Sequence, residues 1–148
     1  MRRIIENRKL FGVTSEADLA QLKTIYRNLM KEWHPDKIQD DDVRRAEFDL
    51  KSKEIIEAYH FLVSISPETH KSNLEEYMRI TENLVIEDFS HKGQTLKIVF
   101  QDNLVYEYFG VPRGVYIKLV NSPTQARFAR RHIFYSYTYR NVSKQTTE

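Results

Sequence analysis

The sequence predicts an α+β fold: a helical hairpin in the first eighty residues, then a small α+β domain with a three- to four-stranded antiparallel sheet and short helices. Three observations carry this. Up to about residue 80, apolar residues recur every three or four positions, the period of a helix face. From residue 82 they alternate with polar ones in β-branched and aromatic runs. A proline at position 35 cuts the helical pattern in two, because proline lacks an N–H and its ring clashes with the preceding turn. The change of texture divides the chain into 1–80 and 81–148.

Each element has a local reason. In "DLAQLKTIYRNLMKEW", Leu19, Leu22, Tyr26, Leu29, Met30 and Trp33 make one apolar stripe. Asp18 is placed to cap this helix, with Gln21 at the reciprocal capping-box position. Pro35 ends the run and pushes His34 toward extended geometry. A second helix is expected over 41–64. Asp40, Asp41 and Asp42 lead into it, and Val43, Ala46, Leu50, Ile55, Tyr59 and Leu62 form its stripe. Two such helices with a short connection make an antiparallel hairpin. Pro67 suits the first position of a further helix through "ETHKSNLEEYMRI". "ENLVIEDFS", "LKIVFQD" and "NLVYEYFGV" then read as a three-stranded meander, with turns at "HKG" and "QDN". "PRGVYIKLVNS" and "PTQARFARRH" read as short helices. "FYSYTYR" reads as a last strand with Tyr135, Tyr137 and Tyr139 on one face.

Composition narrows the function. No run of about twenty apolar residues occurs, so no membrane-spanning helix is expected. Cysteine is absent, which excludes disulfides and thiolate chemistry and fits a reducing compartment. The five histidines have no metal-ligand spacing, and no nucleophile elbow or P-loop is present, so no enzyme is expected and no cofactor or metal is implied. Residues 1–80 hold 14 Lys/Arg against 15 Asp/Glu, whereas residues 81–148 hold 9 against 6. The second part is the basic one, with Arg127, Arg130, Arg131 and Arg140 close together.

"LFGV", the helix with "IYRNL", the tripeptide "HPD" and then "EAYHFL" resemble, in this order and spacing, the J-domain, the co-chaperone module of DnaK-type heat-shock ATPases. The resemblance covers roughly residues 4–66. It implies that Lys23, Tyr26, Arg27, His34, Pro35, Asp36 and Lys37 dock on a DnaK-type chaperone and stimulate its ATPase. The residues themselves agree in part. Lys23, Arg27 and Lys31 lie four apart and form a basic ridge, which serves either as a docking surface or as a solvated face. Tyr26 falls within the apolar arc and has both a core and a contact reading. The chain departs from the family at Asn28 and Glu32, where basic residues are usual, and at Ser52, where a phenylalanine usually packs. Phe48, one turn earlier, is expected to fill that gap.

Residues 82–142 resemble the KTSC domain, found at the C-terminus of some lysyl-tRNA synthetases. The likeness rests on "LKIVFQDNLVYEYFGVPRGVYIKLV" and "ARFARRHIFYSYTYR", with departures at Ala126 and Phe134. RNA binding is proposed for that family. Tyr106, Tyr108, Tyr135, Tyr137 and Tyr139 would supply rings for unstacked bases or a client, and Arg127, Arg130, Arg131 and Arg140 the charge. Tyr106 and Tyr108 also have a plain reading as core, and Arg130 and Arg131 as solvated charge. The leading expectation is a cytoplasmic co-chaperone whose C-terminal domain recruits a client, with RNA or a ribonucleoprotein as a candidate. A nucleic-acid-binding protein with the hairpin as scaffold, or a protein-interaction adaptor, is the alternative.

Overall fold

The computed structural model describes residues 1–39 and 41–143. It divides into two compact units, Arg2–Lys71 and Ser72–Glu148, the second including Met1.

The first unit is helical: α1 (Arg2–Phe11), α2 (Leu19–Trp33), α3 (Arg45–Ser64) and α4 (Pro67–Ser72), whose last residue already belongs to the second unit. The Asp18 carboxylate accepts from Gln21 N (2.7 Å), and the Gln21 amide oxygen accepts from Asp18 N (3.0 Å), so the predicted capping box is formed. Glu68 on α4 accepts from Leu19 N (2.9 Å) and satisfies another donor of the same helix end. Helices α2 and α3 are antiparallel partners. Trp33 at the end of α2 meets Phe48 near the start of α3 (centroids 5.2 Å), and Tyr26 stacks on Tyr59 (4.3 Å). Helix α1, which the periodicity did not single out, packs on α3. It buries Ile4 and Phe11, and Arg3 lays its guanidinium over the Phe61 ring at 4.8 Å.

The stripe expected on α3 is only half right. Ile55 and Leu62 are buried and Tyr59 half-buried, but Val43 is 97% exposed, Leu50 61%, and Ala46 is exposed too. The helix begins at Arg45, so Val43 precedes it. Ala46 lies nine residues before Ile55, about two and a half turns, and so faces the opposite way. The buried face is phased instead on Phe48, Ser52, Ile55, Tyr59 and Leu62. Ser52 sits in it with its hydroxyl donating to Asp49 O (3.0 Å). Asp42 accepts from Arg44 N (2.8 Å) just ahead of the helix; Asp40 lies outside the described residues.

The second unit opens with α5 (Leu74–Asn83) and continues through β1 (Ile86–Lys92), β2 (Thr95–Phe100), β3 (Leu104–Phe109), α6 (Arg113–Asn121), α7 (Gln125–His132) and β4 (Thr138–Asn141). The sheet is antiparallel throughout, in the order β1-β2-β3-β4. Helix gives way to strand after residue 80, as the texture indicates, yet the unit starts at Ser72, because α5 carries Tyr77 and Ile80 into its core. The β1–β2 turn is Gly93-Gln94, both at positive φ, one residue beyond the expected "HKG". Positions 96, 98 and 100 of β2 and 106 and 108 of β3 point inward onto Leu119, Ala129, Ile133 and Phe134. The last strand is shorter than "FYSYTYR" implies. Ser136 N bonds Ile133 O (3.1 Å) in a turn, so Tyr135 and Tyr137 precede β4 and do not share a strand face with Tyr139.

At the centre of this core the Tyr77 hydroxyl donates to the Phe134 carbonyl (2.7 Å). Its single proton is thereby used, so the Tyr108 hydroxyl donates to Tyr77 (2.8 Å). Tyr139 stacks on the Tyr77 ring (centroids 4.1 Å). Replacing Tyr77 by Phe orphans both the Phe134 carbonyl and the Tyr108 hydroxyl. Replacing Tyr108 by Phe leaves the bond to Phe134 intact. We therefore expect Tyr77→Phe to cost about 2–3 kcal/mol and Tyr108→Phe about 1 kcal/mol, measured by urea unfolding followed in the tyrosine near-UV signal.

Burial pushes the phenols of Tyr106 and Tyr139 up to about 12, and raises those of Tyr77 and Tyr108 as well. Each holds its proton more tightly folded than unfolded, where the ordinary value is 10.0. Stability from this source is therefore full below that value and is lost as pH rises through 12. The urea midpoint of the second unit is expected to hold steady up to about pH 9 and to fall between about pH 10 and 12.

Candidate functional site

The site is the corner between α2 and α3. Proline has no N–H to continue α2 and disfavours helical geometry in the residue before it. His34 accordingly leaves the helix (φ −62°, ψ 133°), while its N–H closes the last turn on Met30 O (2.9 Å). Pro35, Asp36 and Lys37 form one 3-10 turn. Lys37 N bonds His34 O (3.0 Å) and Ile38 N bonds Pro35 O (3.3 Å).

The His34 ring caps this turn. Its Nδ1 accepts from Asp36 N at 3.1 Å, so that nitrogen carries no proton and the neutral imidazole holds its hydrogen on Nε2. The Asp36 carboxylate lies 3.6 Å from the same nitrogen, with its side chain 85% exposed. His34 is itself 48% exposed. The corner therefore offers one N–H donor and one carboxylate side by side.

Arg45, in the first turn of α3, fixes the corner from below. Its Nη1 donates to Pro35 O (3.1 Å) and to Ile38 O (3.5 Å), and its Nε lies 3.5 Å from the Asp49 carboxylate. Sequence reading missed this residue. An arginine ten positions after a proline carries no signal until the turn brings the two together.

Lys23, Arg27 and Lys31 are exposed along α2, and none has a carboxylate partner among the described residues. Lys37 and Glu32 are exposed as well. Tyr26 is half-buried: one face stacks on Tyr59 and the rest reaches the surface.

The candidates of the second unit separate into two groups. Arg127, Arg130 and Arg131 are exposed on α7. Tyr106 and Tyr108 are 5% and 0% exposed and belong to the core, which removes them as nucleic-acid or client contacts. They occupy the inward face of β3, where the pleat and the hydroxyl network hold them. Arg140 is 4% exposed and pairs with Glu107 (3.4 Å) directly across the β3–β4 ladder, so it too is withdrawn from the surface. Tyr137 and Tyr139 are half-buried, the latter against Tyr77. Among the described residues no group of His, Cys, Asp and Glu is arranged to hold a metal, and no helix is long and apolar enough to cross a membrane.

Comparison with known proteins gives two family matches. The DnaJ domain model matches residues 9–72 and the KTSC domain model residues 82–137. Among curated proteins, the DnaJ protein homolog XDJ1 of Saccharomyces cerevisiae is 38% identical over 61 residues, covering 41% of this chain and 13% of that protein. The chaperone protein DnaJ of Halothermothrix orenii is 32% identical over 88 residues, covering 57% of this chain and 22% of that one. The DnaJ homolog subfamily C member 16 of Pongo abelii is 36% identical over 75 residues, covering 51% and 9%. The chain thus matches less than a quarter of the length of these relatives. No solved structure matches it.

The Arg45 latch is testable by itself. Arg45→Met keeps the aliphatic stem and loses the donors to Pro35 and Ile38. Amide exchange at Lys37 and Ile38 is expected to speed up about tenfold, with helix content unchanged, as the loss of these two charge-assisted hydrogen bonds, one of them long, requires.

Proposed function

We propose that this chain, in which a DnaJ domain is followed by a KTSC domain, acts as a co-chaperone: it docks on a DnaK-type chaperone and stimulates its ATPase, while the second unit recruits a client. The observation that carries the reading is the corner itself. An imidazole N–H and a carboxylate stand exposed on a turn held from within by His34 and Arg45, beside a basic ridge on α2 that has no carboxylate partner among the described residues.

The chemistry follows from these groups. Lys23, Arg27 and Lys31 steer the chain toward an acidic patch and align it. Asp36 offers two oxygens that a partner arginine grips in bidentate fashion. Because Pro35 and Arg45 fix the turn, little conformational freedom is lost on docking. Stimulation requires no residue of this chain to touch ATP. Stimulation needs only tighter binding to the hydrolysing conformation of the chaperone than to its resting one; a hundredfold bias takes about 2.7 kcal/mol. A cytoplasmic location is part of the same proposal.

For the second unit, nucleic-acid binding loses much of its ring surface with Tyr106 and Tyr108 in the core. Exposed cations remain, and recruitment of a protein client uses them without stacking.

His34→Gln removes the ring that caps the turn and presents Nε2–H. It is expected to abolish stimulation of a DnaK-type ATPase while leaving Trp33 fluorescence and helix content as in the parent. Equal stimulation by variant and parent, or none by the parent, defeats the proposal.

A further inference from the structure

Between Glu107 and Glu148 the chain has no acidic side chain, and that stretch contains α6, α7 and β4. Arg113, Lys118, Arg127, Arg130 and Arg131 are all exposed there, and none has a carboxylate partner among the described residues. Helices α6 and α7 pack together, and Gln125 Nε2 donates to Val120 O (3.1 Å), pinning the start of one to the end of the other. Their inner sides are committed to the core through Leu119 and Ala129.

The helix dipole sorts these cations. Lys118 on α6 and Arg130 and Arg131 on α7 lie in last turns, where a positive charge stabilises the negative end of the helix. Arg113 is the first residue of α6 and Arg127 sits in the first turn of α7. There the end of the helix is positive, and a cation opposes it. The fold gives these two no return. On the same helix as Arg113, Ile117 and Val120 are 46% and 43% exposed. Arg113, Ile117 and Val120 are spaced i, i+4, i+7 and share one face of α6.

We propose that the outer face of α6 and α7 is a docking surface for an acidic amphipathic helix of a protein partner. This names the client chemistry and rests on the reading of the second unit as the recruiting module. Charge complementarity selects an acidic occupant. The aliphatic pair at the centre of the α6 stripe selects one with an apolar face, since phosphate backbones gain nothing from isoleucine and valine.

The full chain is titrated with a labelled peptide of about 20 residues, with leucine at helical spacing and glutamate elsewhere, long enough to hold a helix once bound. A scrambled peptide of the same composition, a uridine oligomer and phosphatidylcholine vesicles containing phosphatidylserine are the comparisons. The patterned peptide is expected to bind about tenfold more tightly than the scrambled one, a preference erased by Ile117→Gln with Val120→Gln. Arg113→Gln with Arg127→Gln is expected to weaken binding of both peptides about tenfold while raising the thermal midpoint, since two cations leave helix N-termini. Equal binding of the two peptides, tighter binding of the oligomer or the vesicles, or a preference that survives the Ile117/Val120 change overturns the proposal. Chaperone ATPase stimulation by the unaltered chain, measured without peptide, reports on the co-chaperone reading separately.

Discussion

A proline without an N–H, placed two residues after the last residue of a helix, is the constraint on which the candidate corner depends. It forces His34 into extended geometry and leaves the end of α2 with carbonyls to satisfy. The chain answers partly within the turn and partly from the start of α3. His34 N–H closes on Met30, a 3-10 turn takes over, the imidazole accepts the Asp36 N–H, and Arg45 collects the carbonyls of Pro35 and Ile38. These N–H and carbonyl groups of the break are thus bonded inside the molecule. What stays outside is what the turn does not need, namely the imidazole Nε2–H and the Asp36 carboxylate. The exposure of these two groups and the rigidity of their frame have one cause.

In the second unit the corresponding constraint is the hydroxyl of a buried tyrosine. A sheet face of Leu96, Ile98, Phe100, Tyr106 and Tyr108 would pack as well with phenylalanine at 108, but the hydroxyl there demands a partner. Tyr77 of α5 supplies it and donates its own hydrogen bond to the Phe134 carbonyl, just past α7. One hydrogen-bond chain thereby joins α5, β3 and the segment after α7. It explains why α5 is part of the sheet unit although its sequence continues the helical texture of the first eighty residues.

Local chemistry was legible in the sequence and global phase was not. The Asp18–Gln21 box, the break at Pro35 and the meander of β1–β3 follow from neighbours within about four residues, and they stand where expected. The outer half of the α3 stripe failed because Val43, Ala46 and Leu50 keep a helical rhythm but not the phase of Ile55 and Leu62. Rhythm alone does not say which face is covered. Phe48, expected to fill the space left by Ser52, does lie against Trp33. The tyrosines show the same limit. Alternation put Tyr106 and Tyr108 on one face, and only the packing of α5, α6 and α7 onto that face made it the inside. Arg45 was invisible for a different reason: its acceptors are backbone carbonyls, which leave no trace in residue identity.

Charges divide by whether the fold has a use for them. Arg140 is held by Glu107, and Lys31 complements the C-terminal end of α2. Arg130 and Arg131 do the same for α7. Lys23 and Arg27 on α2 have no such return, and neither do Arg113 and Arg127 in the second unit. Exposed cations at neighbouring helical positions repel one another, and at a helix N-terminus they oppose the dipole, each by a few tenths of a kcal/mol. A surface that carries such charges uncompensated is less stable than one with acids interspersed. In both units the uncompensated cations stand beside groups the fold leaves exposed: the Asp36 corner in one, the Ile117–Val120 pair in the other. That pairing of unreturned charge with unused contact surface is the common ground of the two docking proposals, since solubility alone asks for neither.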